Sequence, residues 1–392
     1  MHRLNATVSS SVLQVIEEAV STRGLSTVQL VRAVARLSRL FTKERDAISR
    51  PYFEDPVLAT AYLRYFLPVN LSKIQVLLDE MPVPEQGGRL SVLDLGSGLG
   101  TGALAVLDWW HRHRSEAGLT VVALDNVSSA IRQADMLWKR YCHAAGITAA
   151  TLRTCEGDLE RRVWLGRLRE SGPFDLIILA NCLNELCVGS KDPIRARACL
   201  VTEVLAQLAP HGTMMIVEPA LRDTSRALLQ VRDRLLQEKH CTVYSPCLHE
   251  HSCPALINPG DWCHEERKWE PPPVIQQIDE EVGLIKDALK FSYLLLRKDG
   301  KTIVDRRPDV YRVVSELRVM KGEKRAWLCN EQGRQEAGRQ DRLVSAQNEA
   351  FDQWHRGAIV QIEKIVRKER DGKVSSLGRI EREASVQIVR PV

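Results

Sequence analysis

The chain has 392 residues, 44% apolar and 27% charged, an ordinary globular composition that excludes a disordered or fibrous chain. No apolar run reaches the roughly 18 residues of a spanning helix, which excludes a membrane-spanning protein, and the length predicts two or three domains at roughly 150 residues each. The formal charge of +5 is uneven: between Arg297 and Val392, 22 Lys and Arg face 15 Asp and Glu, leaving +7 there and about −2 elsewhere. A basic tail suits a polyanion partner such as RNA and equally suits a well-mixed solvated surface.

The first residues, MHRLNATVSSSVLQ, lack the apolar core of a secretory signal and carry a single Arg. The reading is therefore cytoplasmic, with the mitochondrial matrix as the alternative. Residues 8 to 82 show apolar positions at helical spacing in SSVLQVIEEAV, VQLVRAVARLSRLF and LATAYLRYFLP, with breaks at Gly24, Pro51 and Pro68. This predicts an N-terminal helical cap over residues 1–82. From Leu90, short apolar strands (SVLDLG, LTVVALD, FDLIILA, GTMMIVEP) alternate with helical or loop segments, the rhythm of a mostly parallel sheet.

After Glu218 a helix (DTSRALLQVRDRLLQEKH) and a strand (CTVYSP) lead into an irregular Cys-, His- and Pro-rich stretch. A helix over IDEEVGLIKDALK and a strand over FSYLLLRK follow, so residues 241–273 read as an insertion late in a domain spanning 83–298. Residues 299–392, with short alternating runs such as RVVSELRV, RAWLCN and ASVQIVR, predict a basic, β-rich C-terminal domain. The fold class is α/β: a class I, Rossmann-like methyltransferase fold with a helical cap, a Cys-rich metal-binding insertion and a small β domain.

The segment from Asp94 to Gly102 sets an acid at a strand end and then glycines where the chain must turn into a helix. Gly96, Ser97, Gly98 and Gly100 are candidate cofactor-binding positions, because glycine lets a ligand approach the backbone closely. Gly98, Gly100 and Ala103 also satisfy the loose dinucleotide fingerprint, so a nicotinamide-dependent oxidoreductase stays open on the loop alone. Later acids favour S-adenosylmethionine (SAM). Asp94 would face its ammonium, Asp125 its ribose hydroxyls and Asp158 its adenine amine, each carboxylate closing a successive strand. Any one of these acids could instead cap a turn. Asn181, at the next strand end, faces the acceptor side. The sequence there, Ala180 to Leu186, is neither the Asn-Pro-Pro-Tyr nor the Pro-Cys type, so no catalytic residue is assigned.

Ten cysteines in a chain without secretion point to metal rather than disulfides. Cys247, Cys253 and Cys263 lie in a segment too irregular to bury thiols by regular packing, and Cys329 is the fourth candidate. Spacing favours an iron-sulfur cluster, while His249, His251 and His264 keep zinc as the alternative. Cys142, Cys155, Cys182, Cys187, Cys199 and Cys241 read as unrelated core or wall residues.

VLDLGSGLGTG, LNEL, IVEP, DWCHEERKW and KFSYLLLRK together resemble one family, over roughly Ala61 to Asn330. This is the ribosomal-small-subunit methyltransferase-like family, that of the mitochondrial methyltransferase-like protein seventeen and its bacterial relatives. Leu99 stands where the family usually has Pro. The resemblance implies an assembly factor that binds the small ribosomal subunit, its rRNA and its proteins. It also implies a 4Fe-4S cluster on Cys247, Cys253, Cys263 and Cys329, and SAM as cofactor. The alternative is an active SAM-dependent rRNA methyltransferase with a structural metal site. The free chain is expected to be a monomer.

Overall fold

The computed structural model describes residues 6–21, 24–45, 52–82, 88–114, 117–168, 171–284, 287–370 and 373–391, without the side chains of residues 114, 370, 373 and 374. Contacts divide them into two units, Met1–Leu221 with Lys268–Leu289, and Arg222–Arg267 with Lys290–Val392. Among the described residues, no helix is long and apolar enough to cross a membrane.

The first unit opens with α1 (Ser10–Val20) and α2 (Thr27–Thr42), separated at Gly24, whose φ is +58°. Each begins on a serine cap: Ser9 accepts from the Val12 amide, and Ser26 forms a reciprocal box with Gln29. Each buries one stripe, Val12, Val15, Ile16 and Ala19 in α1 and Leu30, Ala33, Val34 and Leu37 in α2. The break expected at Pro51 lies outside the described residues. The one expected at Pro68 does not occur. There α3 (Pro56–Ala61) runs through a π turn (Tyr62–Phe66) into α4 (Leu67–Leu78), and Pro68 sits in the first turn of α4. The Leu67 amide donates to Tyr62, five residues back, so the proline's missing donor falls where the hydrogen-bond ladder changes register.

Five parallel strands follow: β1 (Leu90–Leu95), β2 (Leu119–Asp125), β3 (Ala150–Glu156), β4 (Phe174–Ala180) and β5 (Leu208–Pro219), in the order β3-β2-β1-β4-β5. The connections carry α5 (Thr101–Arg114), α6 (Ser128–Ala145), α7 (Trp164–Leu168) and α8 (Pro193–Leu205). Near-continuous apolar runs in β1 and β4 are buried, as expected for a parallel sheet covered on both faces. The order reverses between β1 and β4, so the crevice beyond their carboxyl ends is the switch point at which doubly wound folds bind ligands. Register aligns Asp94 with Ala123 and Ile178, bringing the ends of β1, β2 and β4 to one rim.

The second unit contains α9 (Arg222–Gln237), β6 (Thr242–Ser245), β7 (Glu265–Lys268) and β8 (Ala288–Arg297), with β6 antiparallel to β8 and β7 also paired to β8. Between β6 and β7 the chain is irregular apart from one 3-10 turn at Pro254–Leu256. The helix expected over IDEEVGLIKDALK spans only Pro273–Val282, in the first unit. It closes on Gly283 with φ +73°, and Ala288 and Leu289 already belong to β8.

A second sheet holds β9 (Val310–Val313), β10 (Arg318–Met320), β11 (Glu323–Asn330), β12 (Gly333–Gln340), β13 (Ile359–Ile362), β14 (Val366–Arg370), β15 (Lys373–Arg379) and β16 (Val386–Arg390). Its order is β14-β15-β12-β11-β9-β13-β16, with β10 on β11. It closes over Val313, Leu328, Phe351, Trp354, Val360 and Ile380, all buried.

Candidate functional site: a glycine-loop cavity and a thiol cavity

A cavity of about 540 Å³ opens at the switch point of the first unit. Asp94, Gly96, Ser97, Gly98, Asp125, Asp158 and Asn181 all line it, so these strand-end residues, read from sequence one by one, share one space. Gly100 is absent from its wall. A Cβ at Gly100 would stand 2.7 Å from that of Ala134, so its role is close packing of the loop on α6. Gly102 is needed for Asp94: a Cβ there would meet the carboxylate at 2.5 Å.

The acids are partly engaged by the backbone. Asp94 accepts from the Ala103 amide at 2.8 Å, while Asp125 accepts from Gly98 at 2.8 Å and Val127 at 3.0 Å. Asp125 therefore clamps the glycine loop as well as facing the cavity, a role the sequence did not reveal. Asp158 accepts from the Glu160 amide and pairs with Arg161 at 3.2 Å, leaving its carboxylate partly exposed at the rim. Asn181 ends β4 in the left-handed region at φ +57°, a conformation asparagine tolerates, and its amide donates to Val217.

Sequence reasoning missed several wall residues. Tyr52, Phe53 and Tyr62 line the cavity about forty positions before the loop, and Cys182 and Glu185 line it after β4. The lining carboxylates are strongly desolvated. Burial pushes Asp94 up to about 7, against the Ala103 amide and with help from Asp125. Burial pushes Glu185 up to about 7, opposed by Arg45. Behind them Glu218, at 1% exposure, rises to about 8 through burial, opposed by its hydrogen bond from Asn184. Cys182 is raised well above the ordinary thiol value by burial and then by Glu218, which suits a wall residue and not a nucleophile.

In the second unit, Cys247, Cys253, Cys263 and Cys329 line one cavity of about 60 Å³, together with His249 and His264. The chain gathers them by a few strong contacts. Arg232, fully buried on α9, donates to the His249 carbonyl at 2.5 Å, to the His251 carbonyl at 2.8 Å and to Asp233. Asp233 in turn accepts from the Cys253 amide at 2.9 Å. Arg226 donates to the carbonyls of Ala255, Leu256, Asn258 and Asp261, fixing a loop that has no ladder of its own. Burial raises Cys329 well above the ordinary thiol value, and Cys247, Cys263 and Cys253 raise it further, so the thiols face one another. Burial likewise lifts Cys263 to about 11, with Cys247 adding.

Cys329 Sγ lies 3.7 Å from His249 Nε2. Burial and then Arg232 hold His249 down at about 4, so it is neutral. His264 pairs with Glu266 at 2.9 Å, and His251 is exposed and off the wall. Among the described residues, no three His, Cys, Asp or Glu side chains are positioned to share a single metal ion.

The family described as "Mitochondrial small ribosomal subunit Rsm22" matches residues 56–345. The chain belongs to this family. The match spans both units and contains both cavities, including all four thiols. No curated protein matches the sequence significantly. Solved structures similar to it include a DhpI–SAH complex, at 19% identity over 50% of this chain and 73% of that one, with a TM-score of 0.23. The CcbJ methyltransferase from Streptomyces caelestis follows at 16%, 38% and 49%, with 0.26. The mitomycin 7-O-methyltransferase MmcR gives 12%, 69% and 66%, with 0.36. Scores this low carry no argument; the fold rests on strand order and register.

Proposed function

We propose that this member of the Rsm22 family is a SAM-binding, methyltransferase-like assembly factor of the small ribosomal subunit that carries a 4Fe-4S cluster and contacts rRNA through its basic C-terminal region. The observation that carries the reading is the thiol cavity. Four cysteines from segments far apart in sequence line one space. That space is about four times the roughly 15 Å³ a water-sized probe needs. A lone zinc wants its ligands within roughly 4 Å of one another, at Zn–S distances of about 2.3 Å. The absence of any such close trio among the described residues favours a wider, multi-iron group. Cys247, Cys253, Cys263 and Cys329 would hold the cluster, and buried Arg232 beneath them would offset part of its negative charge. The cluster would supply a covalent cross-link to a segment without regular structure.

In the first unit the glycine-loop crevice, with its unengaged carboxylate capacity, fits SAM. Asp94 would take the ammonium, Asp125 the ribose and Asp158 the adenine edge, and SAM would supply a methyl sulfonium. The family's printed description supports the small subunit as partner and the mitochondrial matrix as the compartment.

The test is anaerobic purification of the full chain and of four single Cys→Ser variants, with iron, sulfide and zinc analysis. Brown protein with about four irons, lost in every variant, is the expected result. One zinc and no iron would replace the cluster with the alternative metal. Metal-free protein in which all four variants behave like wild type would sink the metal centre altogether.

A further inference from the structure

Three aromatic rings crowd one side of the glycine-loop cavity. Tyr52 and Phe53 have centroids 4.2 Å apart, Phe53 and Tyr62 are edge-on at 5.1 Å, and Tyr52 and Tyr62 are 6.2 Å apart. Phe53 rests on the loop itself, 3.1 Å from where a Cβ on Gly98 would stand. Tyr62 opens the π turn, a device often found at functional sites, and its hydroxyl is 3.5 Å from Thr101 Oγ1 at the head of α5. Tyr52 and Phe53 are only half-buried, which distinguishes them from the sealed rings of the neighbouring core such as Phe66.

The same walls carry negative charge without a matching cation. Among the described residues, neither Asp94 nor Asp125 forms an ion pair; their hydrogen bonds come from backbone amides. Ser97, at 4% exposure on the cavity wall, has a hydroxyl with no hydrogen-bond partner among the described residues. Ring faces are electron-rich and attract a cation within about 6 Å, most strongly when water is excluded. Three rings beside unneutralised carboxylates therefore make a site for a soft, poorly hydrated cation.

We infer that this cavity selects its ligand by positive charge: Tyr52, Phe53 and Tyr62, with the carboxylates of Asp94 and Asp125, hold the sulfonium of SAM and discriminate against the neutral thioether of S-adenosylhomocysteine (SAH). The inference rests on the proposed SAM site and adds its charge selectivity. A chain built this way stays loaded with SAM and sheds the uncharged product form.

Titration calorimetry on the full chain with SAM, SAH and an analogue bearing an amine in place of the sulfonium tests it. SAM and the cationic analogue should bind about tenfold or more tightly than SAH. Tyr52→Leu and Phe53→Leu, which keep apolar bulk and remove the ring face, should bring the SAM-to-SAH ratio towards one while SAH affinity stays within about threefold, the latter reporting an intact fold. Equal wild-type affinities for SAM and SAH, or a ratio unchanged in both variants, overturn the cage and leave the SAM site standing. Failure of all three ligands to bind wild type overturns the SAM site and the cage with it.

Discussion

The two cavities are built on opposite principles. The glycine-loop cavity is made by backbone: one turn between β1 and α5, where side chains must be missing so that Asp94 can sit against Gly102 and Phe53 against Gly98. The thiol cavity is made by side chains, gathered from three places in an irregular segment and from β11, where particular atoms must be present. The first should fail when an atom is added, the second when one is removed.

The largest effect should follow removal of the cation under the thiols. Arg232→Met deletes a buried guanidinium and strands the carbonyls of His249 and His251 together with Asp233. Breaking a buried charge network of this kind costs about 3–5 kcal/mol. Urea unfolding followed by tryptophan fluorescence should show a transition shifted by that amount, with iron retention falling in parallel. An unshifted transition would mean that the segment is held by something other than Arg232.

Adding one carbon to the other cavity should do less to stability and more to binding. Gly102→Ala drives a Cβ to 2.5 Å from the Asp94 carboxylate, so the bond from Ala103 must shift. Overpacking of this kind costs about 1–3 kcal/mol. SAM affinity measured by calorimetry should drop by more than tenfold, while iron content stays at the wild-type level. Loss of iron in this variant would break the contrast between the cavities.

The same contrast explains what the sequence revealed. The loop was legible because its requirements are local: an acid, then glycines, within nine residues. The cysteines were countable, but their convergence depends on Arg226 and Arg232, two unremarkable helix arginines whose donors reach the carbonyls of residues 249 to 261. The aromatic wall was invisible because Tyr52 and Phe53 meet the loop only through the tertiary path of α3 and the π turn. Strand β12 was missed for a related reason. GRQEAGRQ has no strand propensity, and it is extended because β11 and β15 pair with it on both sides.

A third test uses the buried acids of the first unit. Burial raises the folded-state values of Asp94 and Glu185 to about 7 and of Glu218 to about 8, above their ordinary 3.8 and 4.5. Arg45 and the Asn184 amide oppose the shift at the two glutamates without cancelling it. Raised values mean that protons favour the folded state. The stability these groups contribute is complete below about pH 4 and is lost as pH climbs through 7 to 8. The ligand-free chain should therefore melt several degrees lower at pH 8 than at pH 6. Asp94→Asn should reduce that difference, and SAM should raise the melting temperature more at pH 8 than at pH 6. A melting temperature that rises over this interval would show that other groups dominate.

The smallest effect belongs to neither cavity. Among the basic residues of strand β14 and its approach, Arg367 donates to the carbonyls of Ser375 and Ser376 and to Gln335, so reversing its charge would tear the sheet edge and say nothing about RNA. The side chain of Arg370 lies outside the described residues. Lys364 and Lys368 are exposed and are the cleaner probes. If both contact phosphate, Lys364→Glu with Lys368→Glu should lower the slope of log affinity for small-subunit RNA against log salt by about 1.4–1.8, at 0.7–0.9 per contact. Iron content, SAM affinity and the unfolding transition should all stay put. An unchanged salt slope with intact cavities would move the RNA surface elsewhere on the second unit, whereas a change in iron content would mean that the tail and the thiol cavity are one functional element.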